Sequence, residues 1–302
     1  YVQSAKFQER TRKLDALRLL RAMIMAAATG YGGRQADVMR LYFESGATRV
    51  VRGVFYGWFG EELEAVMVEL QALALAYAAS MKRDLPGLLG EHVTDWHIVD
   101  SSTVKLDEAL LGEYPGAGDY AALKIHKRFS VGLGTTIDYH LSPAREHDNI
   151  HLSIDETWRG LGVLLDLGYA SFKLLRDCRE HDVRFVIRLK DSWEPRVQHV
   201  ARGTLLKQFV GGTDFDCLID EVVLVLDGTA VDVDVTFGRG ASLVMCRMVG
   251  VPTPDGTYRF YLTNLPPAVG PLQIADLYRV RWEIESDNKL DKSCLHLDEI
   301  GA

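Results

Sequence analysis

The sequence has no apolar run long enough to cross a bilayer. The longest, Ala65 to Ser80, contains Glu69 and Gln71 and falls short of the roughly 20 residues a span needs. It opens on YVQSAKFQERTRK, polar and basic, without the apolar stretch of a signal peptide. Cysteine is scarce. Cys178, Cys217, Cys246 and Cys294 form no C-x-x-C pair, so they read as reduced thiols of a cytoplasmic protein. An H-E-x-x-H zinc pattern and a helix-turn-helix signature are both missing. A chain that begins at Tyr1 and stops at Ala302 is expected to lack residues at one or both ends.

What is present is a globular composition. With 302 residues and 47% hydrophobic content, the chain can build a full core plus a second domain or a large insertion. Its net charge of −8 argues against a nucleic-acid partner. The distribution argues for one. Residues 1–60 hold ten Lys or Arg against four acids, a balance of +6 that leaves −14 for the remainder.

Along the chain, residues 7–28 carry Leu14, Leu17, Leu20, Met23 and Ile24 at helical spacing and end at TGYGGRQ. Further helices fit Gln35 to Glu44 and Gly60 to Met81. Residues 1–90 therefore read as an all-helical, basic domain closed by the linker Lys82 to Gly90, suited to DNA or equally to helical dimerisation. Strands follow: Asp95 to Leu106, Lys124 to Thr135 and Thr136 to His147, an antiparallel set. Asp100 comes directly after Ile98 and Val99, where a carboxylate costs desolvation unless it is paired, bound to a metal or at the strand's open end. His147 and His151 read as a surface pair. After an expected helix from Ile150 to Gly160, Leu164 and Leu165 form a short strand that ends in Asp166, then a helix (Ser171 to His181) and a strand (Arg184 to Lys190). That unit puts Asp166 at the carboxyl end of a parallel strand, where open α/β sheets build their sites. Ser192 to Thr257 alternates in the manner of strands, notably GTAVDVDVTF. Residues 211–257 carry eight acids against two arginines.

The last segment, LYRVRWEIESDNKLDK (Leu277 to Lys292), spaces Tyr278, Arg281, Glu285 and Lys292 by three, four and seven residues. On one continuous helix they would lie within roughly 60° of each other. Such a stripe is either a solvated face with an Arg281–Glu285 ion pair or a surface for phosphates and a metal ion.

The spacing Y-x2-R-x3-E-x6-K within LYRVRWEIE resembles the signature of DDE transposases of the insertion-sequence-4 type. VDSSTVKL at Asp100 is similar to that family's first aspartate block, DLGYASFKLL with FVIRLK to the second, and FYLTNLP to the strand before the final helix. The resemblance spans residues 95–292. It implies an α/β fold: a ribonuclease-H-like mixed sheet with flanking helices (91–191 and 258–302), a β-rich insertion (192–257) and the helical domain (1–90). It further implies Asp100, Asp166 and Glu285 as catalytic and metal-binding acids holding two Mg²⁺ (or Mn²⁺) ions, with Arg281 and Lys292 on phosphates and Tyr278 stacked on a displaced base. The implied partners are double-stranded DNA, at inverted-repeat ends and target, and a second copy in a homodimeric synaptic complex. The implied setting is the bacterial cytoplasm, nucleoid-associated and away from membrane. SDNKLD between Glu285 and Lys292 is more polar than the family's aromatic-rich stretch, which leaves the packing of that helix open. Alternatives are a transposase-derived DNA-binding protein without catalysis and another ribonuclease-H-like nuclease.

Overall fold

A computed structural model describes residues 14–29, 34–81, 85, 87–200, 214–218, 228–238 and 243–294. The amino-terminal part is helical as expected: α1 (Ala16–Ala28), α2 (Gln35–Glu44), α3 (Arg52–Tyr56) and α4 (Glu61–Ser80). Tyr42 centres its core, fully buried among Phe43, Phe55 and Trp58, and its hydroxyl accepts the Asp15 N–H at 2.9 Å. Arg18 bonds Asp15 and the Ser45 carbonyl, and Arg40 pairs with Asp37 and Glu44. Three of the four acids in this basic segment are thereby paired within it, and the net +6 remains. The apolar run proves longer than expected. As α4 it has 20 residues and, over its best window, a mean hydropathy of 1.3, long and apolar enough to cross a membrane. Length and composition alone do not distinguish such a helix from one in a water-soluble bundle. The expected linker contains a short helix, α5 (Leu88–Glu91); residues 82–84 and 86 lie outside the described set.

The rest is one ten-stranded sheet: β1 (Trp96–Lys105), β2 (Ala122–Ser130), β3 (Thr135–Pro143), β4 (Gly162–Leu165), β5 (Arg184–Arg188), β6 (Arg196–Val200), β7 (Asp214–Leu218), β8 (Val231–Phe237), β9 (Val244–Pro252) and β10 (Tyr258–Thr263). Its order is β3-β2-β1-β4-β5-β10-β9-β8-β6-β7. The first five strands have the ribonuclease-H-like arrangement, an antiparallel β1–β3 meander with β4 and β5 parallel to β1. All four residues of β4 are buried, as a parallel strand covered on both faces requires. Gly162 is obligatory there, because a Cβ would stand 2.4 Å from the Trp96 ring on the paired strand.

Two expectations need correction. The stretch from Ile150 to Gly160 forms no α-helix, only 3-10 turns at Asp148–Ile150 and Glu156–Trp158. Asp155 takes the Thr157 N–H at 2.9 Å, a local bond that competes with helix propagation. The insertion joins the core sheet. Its described strands pair onward from β10, which itself pairs with β5, so they continue the core sheet. Within it β8 does not alternate as expected, for Asp232 faces inward at 2% exposure.

Helices cover both faces. Ser171 caps α6 (Phe172–Glu180) by accepting the Leu174 N–H, and that helix buries Leu174, Leu175 and Cys178 against Val163, Leu165 and Ile187. Burial pushes the Cys178 and Cys246 thiols up to about 12, and both are free. On the other face, α7 (Pro271–Arg279) and α8 (Trp282–Cys294) lay Ile274, Leu277, Tyr278 and Ile284 over Trp96, Ile98, Leu164 and Val186. The expected single helix from Leu277 to Lys292 is thus two, joined at Val280 and Arg281. The N–H groups of Val280, Arg281 and Glu283 bond three residues back, a tightened turn that shifts the helical phase. The shift lets both Tyr278 and Ile284 reach the core.

Candidate active site

Strand register builds the site. Val99 is paired with Leu165 at the last parallel rung between β1 and β4, so Asp100 and Asp166 are the next residue on each of two neighbouring strands. Adjacent strands run about 4.8 Å apart, so the two acids sit where β4 ends against the middle of β1. Glu285 approaches from α8. The three expected acids are therefore brought into one electrostatic neighbourhood. Burial, chiefly, raises Asp100 from its ordinary range to about 6; Asp166 and Glu285 add to the rise, while the Ser101 backbone N–H and Arg281 work against it. Two like charges close enough to act on Asp100 match the chemistry of a site that takes a hard divalent cation.

The acids do not yet converge on an ion. Among the described residues no three acidic, histidine or cysteine side chains are close enough to hold one. Two groups from the α7–α8 segment account for this. Arg281 donates to Glu285 at 2.6 Å, and the Asn288 amide donates to Asp100 at 3.0 Å. Arg281 is half-buried, its Nε–H is buried without a partner, and its guanidinium is 5.7 Å from the Tyr278 ring centre. Burial opposes its charge, and Tyr278, Glu285 and Asp166 more than offset that, so its pKa is raised.

Tyr278 is not placed as the spacing suggests. It is 9% exposed, stands 5.1 Å from the Tyr261 ring, and its hydroxyl donates to the Leu165 carbonyl at 3.1 Å. In this arrangement the ring packs in the core, and its hydroxyl holds the end of β4 just before Asp166. Lys292 is half-buried on α8, seven residues beyond Glu285.

The polar stretch SDNKLD finds its explanation across the sheet. Lys127, directly opposite Asp100 on β2 and 5% exposed, donates to Asp287 at 3.2 Å and to Asp291. Thr136 also donates to Asp287, at 2.9 Å. A docking of the helix by buried charge replaces the aromatic packing. The i,i+4 spacing of Asp287 and Asp291 hints at a shared partner, but no sequence signal singles out Lys127.

On the opposite face is a polar cluster that the sequence hides. Asp148 accepts from Ser101 and Lys124 at 3.0 Å each, and the absence of a side chain at Gly168 leaves room for it: a Cβ there would meet its Oδ2 at 2.8 Å. His126 bonds Tyr169 at 3.1 Å and Ser142 at 2.9 Å, with the His151 ring 4.5 Å away. Burial, above all, lowers His126 to about 4. His151 thus belongs to this cluster and not to a surface pair with His147. Ser101 and Tyr169 connect it to the strand ends that carry Asp100 and Asp166.

Comparison with protein families decides the lineage. The model of the Transposase DDE domain matches residues 94–299. The chain belongs to that family. Asp100, Asp166 and Glu285 all lie within the matched DDE domain, which leaves only the helical amino-terminal part outside it. Among solved structures, this DDE-domain chain is similar to the piggyBac transposase of a cryo-EM synaptic complex with hairpin DNA, at a TM-score of 0.44 and 10% identity. The likeness covers 96% of this chain and 64% of that one, so the chain spans less than two thirds of its length. No curated protein matches.

Proposed function

We propose that the chain is a DNA transposase of the insertion-sequence-4 type, catalysing metal-dependent cleavage and strand transfer at the ends of a mobile element. The observation that carries the reading is the rung Val99–Leu165, which sets Asp100 beside Asp166 with Glu285 across from them, in a chain of the DDE-domain family. Asp100, Asp166 and Glu285 would hold two Mg²⁺ or Mn²⁺ ions. Such ions supply an activated water or 3′-hydroxyl and neutralise charge on the leaving oxygen. The protein's own part is positioning. Asp100, Asp166 and Glu285 would supply the carboxylates, and the pairing of β1 with β4 holds the first two in place. Arg281 and Lys292 take phosphates, which fix the register of the duplex and carry no sequence information. Tyr278 acts through Leu165 as a positioning residue. The partners are transposon ends and target DNA, bound by a homodimer in the bacterial cytoplasm.

The test is cleavage of a duplex carrying the inverted repeats that flank the gene, with and without Mg²⁺. Asp100→Asn, Asp166→Asn and Glu285→Gln should each abolish cleavage without any loss of duplex binding. Full nicking by any of them removes that residue from the site.

A further inference from the structure

The carboxylate site already contains a cation, and it is part of the protein. The Arg281 guanidinium bonds Glu285 at 2.6 Å and is near enough to Asp100 and Asp166 to influence both. Its side chain is 13% exposed. It fills the role of counter-ion with one hydrogen bond and leaves its Nε–H buried and unpartnered. A buried donor without an acceptor is costly, so the arrangement is incomplete on the side away from Glu285. Arg281 also belongs to the joint between α7 and α8 and not to either helix, where a side chain can be redirected without unwinding a turn.

We propose that Arg281 is the resident counter-ion of the three carboxylates in the DNA-free protein, and that it is surrendered to a phosphate when a DNA end docks, which vacates Glu285 for the divalent ion. This rests on the function proposed above and adds an order to it. A phosphate offers the guanidinium two acceptors in a planar, bidentate geometry, including one for Nε. Glu285, once released, has no counter-ion beside Asp100 and Asp166, which favours a divalent cation. DNA and metal then strengthen each other's binding by the same factor, since coupling between two ligands is reciprocal.

Three variants test it with Mn²⁺ and the inverted-repeat duplex in separate binding measurements, each variant checked by thermal melting. In DNA-free protein, Arg281→Gln should bind Mn²⁺ more tightly than wild type, by about 5- to 150-fold if the coupling is of ordinary size. In EDTA the same variant should bind the duplex more weakly, whereas Glu285→Gln, which frees the guanidinium, should bind it more tightly. Arg281→Lys, which keeps the charge, should stay near wild type for Mn²⁺. A purely structural arginine would weaken both affinities when removed. An Arg281→Gln protein with unchanged or poorer Mn²⁺ affinity overturns the inference, as does a Glu285→Gln protein with unchanged duplex affinity. The Mn²⁺ arm needs no DNA. A gain there without any cleavage of ends by wild type would sink the transposase reading and leave the counter-ion role standing.

Discussion

Two arginine–carboxylate pairs lie in this sheet's helical cover and its extension, and they are built to opposite specifications. Arg247 on β9 meets Asp232 on β8 through two bonds of 2.7 Å, and its remaining donors reach the carbonyls of Leu265, Pro266 and Val269. Its side chain is 5% exposed and that of Asp232 3%. Arg281 has a single bond to Glu285, an orphaned Nε–H, and a partner 27% exposed. A fully satisfied pair has nothing to gain from a ligand. A half-satisfied one does. The first ties the extension to the loop that leads into α7, and the second faces the site.

The sharpest way to break the contrast is to remove Arg247. Arg247→Ala leaves Asp232 buried without a partner and should cost about 3–5 kcal/mol, read as a lower denaturation midpoint with the loss passed on to α7. Replacing both partners, Arg247→Met with Asp232→Leu, should recover most of that. A single mutant that melts like wild type would refute the structural role.

Next in size is Tyr278. As a buried ring its truncation to Ala should cost about 3 kcal/mol and slow all catalytic steps alike, while Tyr278→Phe loses only the bond to Leu165, about 1 kcal/mol. If Tyr278→Ala kept its melting temperature and slowed only a late step, the base-stacking role expected from the motif would be restored.

Asp100 and His126 sharpen the comparison by pH. Asp100 has its folded pKa raised to about 6 from 3.8, so its burial costs stability above about pH 6 and nothing below about pH 4. Metal-free Asp100→Asn should therefore melt a few degrees higher than wild type at pH 8, an advantage of about 1–3 kcal/mol that fades as pH falls through 6. His126 runs the other way. Its folded pKa is lowered from 6.5 to about 4, so its contribution is present above about pH 6.5 and lost as pH falls towards 4. An Asp100→Asn advantage that grew on acidification would contradict the assigned environment.

The smallest effect belongs to Arg281→Gln. With Glu285 partly solvated, the melting temperature should move by the equivalent of about 1 kcal/mol or less, even as metal and duplex affinities change. A loss comparable to that of Arg247→Ala would erase the distinction between the pairs.

Much of this was legible in the sequence. Asp100 and Asp166 were readable because each directly follows a run of buried apolar strand residues, where a carboxylate needs a partner or an ion. Glu285 was readable from helix spacing together with the family motif. The burial of Tyr278 was not legible for a physical reason: spacing fixes a helical face only while the helix continues, and the turn at Val280 and Arg281 resets the phase. The Lys127 anchor and the Asp148–Ser101–Lys124 cluster were hidden because cross-strand partners are set by register, which one sequence does not display. The burial of Asp232 was hidden because alternation says nothing about an arginine on the neighbouring strand, fifteen residues on.

The place of β10 gives the insertion a different standing. Residues 192–257 are inserted in the linear order, yet one of their strands, β9, is hydrogen-bonded to β10, an inner strand of the sheet. Excising them would expose the β10 edge, with its backbone donors and acceptors unpaired, as a template for intermolecular pairing. Swapping this region between related chains is therefore a transplant within the sheet, and a graft should take only if it brings a strand that pairs with β10 in the register Tyr258 opposite Pro252.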